Sequence, residues 1–325
     1  MAKLHISSTP HIHEKGSSTR NIMLDVVIAM LPATVVGIII FGLQALWITL
    51  TCVATAVVSE FLFNLIVGKK QTVGDLSAVV TGLLLALNLS INVPIWQCVI
   101  GSVFAIVVVK CLFGGIGKNL VNPAITSRVF MLLTFGTTVG GAVKINPLFG
   151  LNFLGEAVPE LAASATPLDA LNKGVEAASG APSVLQLLVG AYGGTIGETC
   201  AIALLIGFVY LVARRVIKWY VPASFVATVF VCYLIAGGFN FEFALQHVLA
   251  GGLLLGAIFM ATDYVTTPIT GLGRVVFCVG AGLLTFAIRQ FGSFPEGVSI
   301  AILTMNLLTP YISDFTKKRT LGGIK

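Results

Sequence analysis

The sequence predicts an all-α integral membrane protein with about ten transmembrane helices. Three observations carry that prediction. Of 325 residues, 57% are hydrophobic and only 10% charged, where a soluble domain carries about 25% charged. The apolar residues come in runs of about 17–24, the length that crosses a bilayer as a helix. The basic residues between those runs segregate to one side when the runs are made to alternate.

The runs fall near 21–42, 44–67, 74–91, 94–113, 123–140, 194–213, 221–238, 244–261, 273–290 and 296–312. Glycines and polar residues interrupt those at 74–91 and 123–140. With the N-terminus inside, all 19 basic residues except Lys144, Lys173 and Arg289 fall in inside segments. That asymmetry is the positive-inside pattern of short cytoplasmic loops. An extra or missing span would move the later clusters, Arg214, Arg215, Lys218 and Lys317 to Arg319, to the wrong side. Both termini are therefore expected in the cytoplasm of a bacterial inner membrane. The positive charge reflects topology, and no soluble basic face is left for nucleic acid.

The 35 glycines suit such a protein, because small residues let membrane helices approach closely. The six cysteines (Cys52, Cys98, Cys111, Cys200, Cys232, Cys278) are scattered singly, with no CxxC pair. That spacing argues against a zinc site, a Cys-ligated cluster within this chain and a disulfide framework. They read as small buried hydrophobes, with Cys111 left as a residue that could face a partner subunit. The first 20 residues are polar and hold His5, His11 and His13, and the next apolar run is too long for a signal-peptide core.

Residues 141–193 form a long, Ala-, Gly- and Pro-rich external segment with an acidic excess. Loops of this length in compact proteins are usually functional or disordered. It divides the chain into residues 1–140, an extracytoplasmic loop at 141–193, and residues 194–325. Five spans on each side would leave the halves oppositely oriented, an inverted repeat. Gly82-Leu83-Leu84-Leu85-Ala86 echoes Gly252-Leu253-Leu254-Leu255-Gly256, and each run leads to a proline, Pro94 and Pro268.

Charges inside spans cost roughly 2.5–3.5 kcal/mol at a helix centre and are functional candidates by default. Asp25, one turn into the first span, and Glu60, two turns from the inner end of the second, lie at similar depth. Together they are candidates for a cation or proton entry. The competing reading pairs each with a base such as Lys110 or Arg128, or lets it snorkel. Glu198 and Asp263, at span ends, are weaker candidates. The loop Phe113-Gly114-Gly115-Ile116-Gly117-Lys118-Asn119 is not a phosphate-binding P-loop, because Leu112 and Asn119 stand where that motif needs Gly and Ser or Thr. It reads as a helix-breaking turn, and such interrupted stretches also mark discontinuous, site-forming helices. Ser164-Ala165-Thr166-Pro167-Leu168-Asp169 reads as a Ser/Thr–Pro turn with Asp169 capping the next residues.

Three motifs stand in a fixed order: GGIGKN…NPA at 114–124, ATPL at 165–168 and ATDYVTTP at 261–268. With the ten runs and the long external loop, they resemble the D subunit of the Rnf complex (ferredoxin:NAD oxidoreductase). They also resemble its relative, the B subunit of the sodium-translocating NADH:quinone oxidoreductase. The resemblance covers essentially the whole chain, and the length favours the Rnf protein. It implies a fold similar to that of urea transporters, an inverted repeat of five helices. It also implies FMN joined through a phosphoester to Thr166 in the external motif, with Ser164, Ala165 and Pro167 around it, installed by a separate flavin transferase. Glu160, Ala163 and Ser164 depart from the family's usual Asp, Ser/Thr and Gly at those places, while Ala165 and Thr166 match. A second flavin, riboflavin, is a further implication that no residue here locates.

On that resemblance the chain is an electron-transfer subunit working with other Rnf membrane and peripheral subunits to drive Na⁺ or H⁺ export, and is not catalytic alone. The rival class is a small-solute channel or secondary transporter, which broken helices and an inverted repeat also permit. A third reading is a scaffold subunit without cofactor. A covalent flavin separates the first from both others.

Overall fold

The computed structural model describes residues 18–139, 168, 171, 182–190, 192–292 and 296–317. Among them every regular element is a helix. The first long helices are α1 (Thr19–Phe41) and α2 (Leu43–Val67), then come α3 (Ser77–Leu87), α4 (Ile95–Cys111) and α5 (Pro123–Thr134). The second group is α6 (Val184–Val189), α7 (Ala201–Ala213), α8 (Tyr220–Ala236), α9 (Phe241–Leu249), α10 (Leu253–Met260), α11 (Gly271–Phe291) and α12 (Val298–Phe315). Helices α1, α2, α11 and α12 are each long and apolar enough to cross a membrane, and α9 with α10, bent by 65° at their junction, makes a fifth crossing if counted as one span. The remaining apolar helices, α3, α4, α5, α7 and α8, run 10–17 residues. The chain is a multi-pass membrane protein.

Local chemistry sets the boundaries. Ser18 caps α1 by accepting the Asn21 N–H, the usual role of a serine before a helix. Gly42, at φ 76°, ends α1 and starts α2, a conformation glycine adopts without a steric cost. The outer faces are apolar, with Leu65, Ile66 and Val209 all exposed. In water such a surface would aggregate; lipid is the solvent that suits it.

Four of the expected spans are not continuous helices. The run at 74–91 is α-helical only over Ser77–Leu87, that at 123–140 breaks after Thr134, that at 194–213 starts its helix at Ala201, and that at 244–261 is split between α9 and α10. Non-helical backbone at membrane depth must be satisfied inside the protein, and it is. The Ile196 N–H donates to the Leu89 carbonyl at 3.1 Å, and the Gly197 N–H to the Leu87 carbonyl at 2.8 Å. The segment after α3 thus pairs with the segment before α7.

Packing joins the two groups of helices. Helix α1 lies on α7, where glycine is required: a β-carbon on Gly207 would run into the Ala29 carbonyl. Helix α5 packs on α12, α2 on α3 and α4, and α8 on α9 and α11. Gly82 brings α3 against α2, its missing β-carbon falling 2.8 Å from both the Cys52 oxygen and the Val53 α-carbon. All six cysteines are unbridged, and Cys111 is buried.

Candidate functional site

Four charged side chains meet where the broken segments converge. Arg128 of α5 donates from Nη1 to Asn88 Oδ1 at 2.6 Å and from Nη2 to the Glu296 carboxylate. Asn88, just past the end of α3, is held by its own donation to the Leu84 carbonyl at 2.7 Å. Glu198, in the non-helical segment before α7, accepts from Thr195 Oγ1 at 2.8 Å. A β-carbon built on Gly252 would lie 3.4 Å from Arg128 Nη1 and 3.9 Å from Glu198 Oε2, so these two face each other across that glycine.

Arg289 of α11 completes the group. Its guanidinium donates to three carbonyls: His247 at 2.7 Å, Ala250 at 3.3 Å and Glu296 at 3.0 Å. The first two close the end of α9 at the break. A helix C-terminus carries unsatisfied carbonyls and partial negative charge, and here a tethered cation meets both needs. Arg128, Glu198 and Arg289 are almost wholly buried. Two arginines and two glutamates balance, which is the condition for keeping such charges in a low-dielectric interior. Leu168 packs against Gly251, filling the space where a β-carbon on that glycine would sit; the same β-carbon would lie 3.0 Å from Arg289 Nη2.

A second network lies between α2, α3 and α4. Lys110 Nζ is 2.8 Å from Glu60 Oε2 and 2.6 Å from Ser77 Oγ. Glu60 Oε1 accepts from Thr72 Oγ1 at 2.6 Å, and Thr72 accepts from Asn64 Nδ2 at 3.0 Å. Asp25 stands apart in α1, accepting from the Tyr210 hydroxyl at 2.9 Å and from Arg214 Nε at 3.2 Å. Asp25 and Glu60 therefore do not touch: each has its own cation. Between α1, α3 and α10 opens a cleft of about 100 Å³, with walls that include Val26, Leu84 and Phe259 and polar edges at Lys110, Asn119 and Asp263. The Asn119 Oδ1 is buried with no hydrogen-bond partner among the described residues. A flat heteroaromatic ring with a hydrogen-bonding edge suits that lining.

Two sequence motifs far apart in the chain, at 114–124 and 261–268, converge beside this cleft. Asn122 caps α5 by accepting from the Ala124 and Ile125 N–H groups, with Pro123 in the first turn. The fully buried Asn306, its amide oriented to satisfy both neighbours, donates to the Thr266 carbonyl at 3.1 Å and accepts the Asn122 N–H at 3.2 Å. Gly114, Gly115 and Gly117 take positive φ in the preceding turn, as expected of a helix-breaking loop.

Ser164, Ala165, Thr166 and Pro167 lie outside the described residues. Sequence reasoning named Glu198 as a weaker candidate and Arg128 as a possible partner for Asp25 or Glu60, but not the group they form with Glu296 and Arg289. Its signal was present: Arg289 is one of three basic residues on the wrong side of the charge pattern, and Arg128 lies within an interrupted run. Arg128 reaches the same residue, Glu296, whose backbone Arg289 holds, so it belongs to this interior group and not to the surface charges that set topology.

These features define a multi-pass, all-helical membrane protein with a charge-compensated interior and a cleft beside its broken segments. The chain belongs to the NQR2, RnfD, RnfE family, whose pattern it matches over residues 5–322. It is 44% identical, over 99% of its length and 96% of the relative's, to the D subunit of the Na(+)-translocating ferredoxin:NAD(+) oxidoreductase complex of Acetobacterium woodii. It is 36% identical, over 98% of its length and 96% of the relative's, to the D subunit of the proton-translocating complex of Clostridium ljungdahlii. To the D subunit of the ion-translocating oxidoreductase complex of Escherichia coli it is 33% identical, over 98% of its length and 99% of the relative's.

Proposed function

We propose that this chain is the membrane-embedded, FMN-carrying electron-transfer subunit of an ion-translocating ferredoxin:NAD⁺ oxidoreductase complex. The observation that carries this reading is its end-to-end similarity to relatives named as the D subunit of that complex. It works with the other membrane and peripheral subunits, because its sequence offers no nicotinamide motif or cluster ligand set, and the translocated ion is Na⁺ or H⁺. It resides in the bacterial inner membrane with both termini in the cytoplasm.

FMN is attached to Thr166 by a phosphoester that a flavin transferase installs, with Ser164, Ala165 and Pro167 forming the motif. Support comes from Leu168, two residues further along, which is buried beside Gly251 and the Arg289 guanidinium. A bound flavin supplies one- and two-electron redox chemistry. The protein's part is to anchor the attachment segment on a rigid core and to keep a fixed positive charge, Arg289, next to it. The cleft beside Lys110, Asn119 and Asp263 is our assignment for a second flavin, which the unpartnered Asn119 amide would help hold.

The architecture is ten membrane segments in a 5+5 inverted repeat of the urea-transporter type, with residues 1–140 and 194–325 as the repeats and 141–193 outside. The packing supports it. The α2–α4 contact has its counterpart in α8–α11, and α4–α5 in α11–α12, while α1–α7 and α5–α12 join equivalent positions of the two halves. Coupling involves a cation or proton entry near Asp25 and Glu60; Lys110 and Ser77 of the Glu60 network line the cleft, as does Val26 next to Asp25. If Asp25→Asn and Glu60→Gln, singly and together, leave ion pumping by the reconstituted complex unchanged, the ion path lies elsewhere.

The decisive test is the mass of the purified chain, wild type and Thr166→Ala, co-expressed with its flavin transferase. We expect an excess of one FMN less water in the wild type, together with yellow fluorescence after denaturing electrophoresis, and neither in the variant. An intact wild-type chain with no excess overturns the redox reading in favour of a transporter or a cofactor-free scaffold.

A further inference from the structure

A second pocket, of about 130 Å³, opens at the end of the bundle where α7 passes to α8 and α10 passes to α11. Arg215, Lys218 and Arg274 line it, with Thr262, Tyr264 and Thr267. Among the described residues no carboxylate lines the pocket, and none of the three cations is in an ion pair. Neighbouring Arg214, by contrast, is neutralised by Asp25. Arg215 and Lys218 are exposed and Arg274 half-buried, so water screens their mutual repulsion in part; an anion seated among them would meet three cations with no competing carboxylate on the pocket wall.

The pocket is built, not incidental. Arg215 holds φ 59°, a left-handed conformation that costs a residue with a β-carbon of order 1 kcal/mol or more and that clusters at functional sites. The Tyr264 hydroxyl ties one wall to the other by donating to the Val216 carbonyl. Arg274 is anchored through Nε to the Pro268 carbonyl at 3.0 Å, leaving its two terminal nitrogens for a ligand. A planar guanidinium and an ammonium held this way suit phosphate oxygens.

The surroundings indicate what carries the phosphate. Trp219, Ile269 and Leu272, close to these cations in sequence, are all exposed. Exposed tryptophan beside lysine and arginine marks the headgroup level of a bilayer, and basic pockets between membrane helices at that level take anionic headgroups. We propose that Arg215, Lys218 and Arg274 form a specific binding site for the phosphate headgroup of an anionic phospholipid, whose acyl chains lie against exposed apolar side chains beside them, such as Trp219, Ile269 and Leu272. The bound lipid would clamp the α7–α8 turn to the start of α11, next to the wall of the cleft at Lys110 and Asn119, which shares Val216, Ile217, Thr262 and Tyr264 with this pocket.

The test is native mass spectrometry of the full chain with added phosphatidylglycerol, phosphatidylcholine or inorganic phosphate. We expect retained phosphatidylglycerol, little phosphatidylcholine, and no displacement by millimolar phosphate. Arg215→Gln, Lys218→Gln and Arg274→Gln should each weaken phosphatidylglycerol binding about fivefold, at roughly 1 kcal/mol per basic residue, with partial rescue by Arg274→Lys. Equal retention of the two lipids, or undiminished binding in all three single variants, overturns the site. Displacement by phosphate alone overturns the lipid assignment and leaves a soluble anion as the ligand. Single variants that fold like wild type, judged by thermal unfolding in phosphatidylcholine, keep the comparison clean.

Discussion

Lys110 Nζ lies 2.8 Å from Glu60 Oε2, and both side chains are only 2% exposed. The pair is the centre of a network in which Ser77 and Thr72 satisfy the remaining lone pairs and protons. Removing one member strands the other as an uncompensated buried charge.

That asymmetry gives the first prediction. Glu60→Gln or Lys110→Met alone should destabilise the chain by about 3–5 kcal/mol, while the double variant should cost much less than the sum. A double-mutant cycle in detergent, followed by thermal unfolding, measures it. Additive losses would mean the pair is not coupled.

The Asp25–Arg214 pair should behave in the opposite way. Arg214's side chain is 58% exposed, so water and salt screen the interaction. Asp25→Asn is expected to leave unfolding nearly unchanged, with any small difference vanishing as salt is raised. A large, salt-independent loss would show that Asp25 is far better shielded than its neighbour.

Arg289→Gln removes the cation that closes the end of α9. Three carbonyls lose a charged donor, and we expect a loss of about 1.5–3 kcal/mol. Hydrogen exchange should rise at the end of α9 and across residues 250–252 before it rises in α1 or α2. Arg289→Lys should recover only part, since an ammonium cannot span three acceptors as a guanidinium does.

Glycine positions differ in what they tolerate. Gly82→Leu places atoms where α2 backbone already lies at 2.8 Å and should cost about 1–3 kcal/mol or more by forcing α3 from α2. Gly74→Ala, with open space around it, should be silent. Parallel melting curves of the two variants separate close packing from a general effect of losing glycine.

Much of the architecture was legible in the chain. The runs that became α1, α2, α11 and α12 are long and apolar, so length against bilayer thickness suffices to find them. The runs interrupted by glycines and polar residues, 74–91 and 123–140, are among those where the helix stops short. Such residues lower the gain from burying a continuous helix. The breaks at 194–200 and 250–252 were not expected from sequence. They exist because distant partners satisfy the exposed backbone: Leu87 and Leu89 for one, Arg289 for the other.

Sequence by itself determined the solvent this protein needs, the helices long enough to span it, and the family to which its motifs belong. Hydropathy, charge bias and motif order act along the chain and need no third dimension. Only the tertiary structure decided which charges compensate which: Glu60 with Lys110, Asp25 with Arg214, and Arg128 with Glu296 across 168 positions. A buried charge is stabilised by whatever lies within a few ångströms in space, and separation along the chain carries no information about that distance.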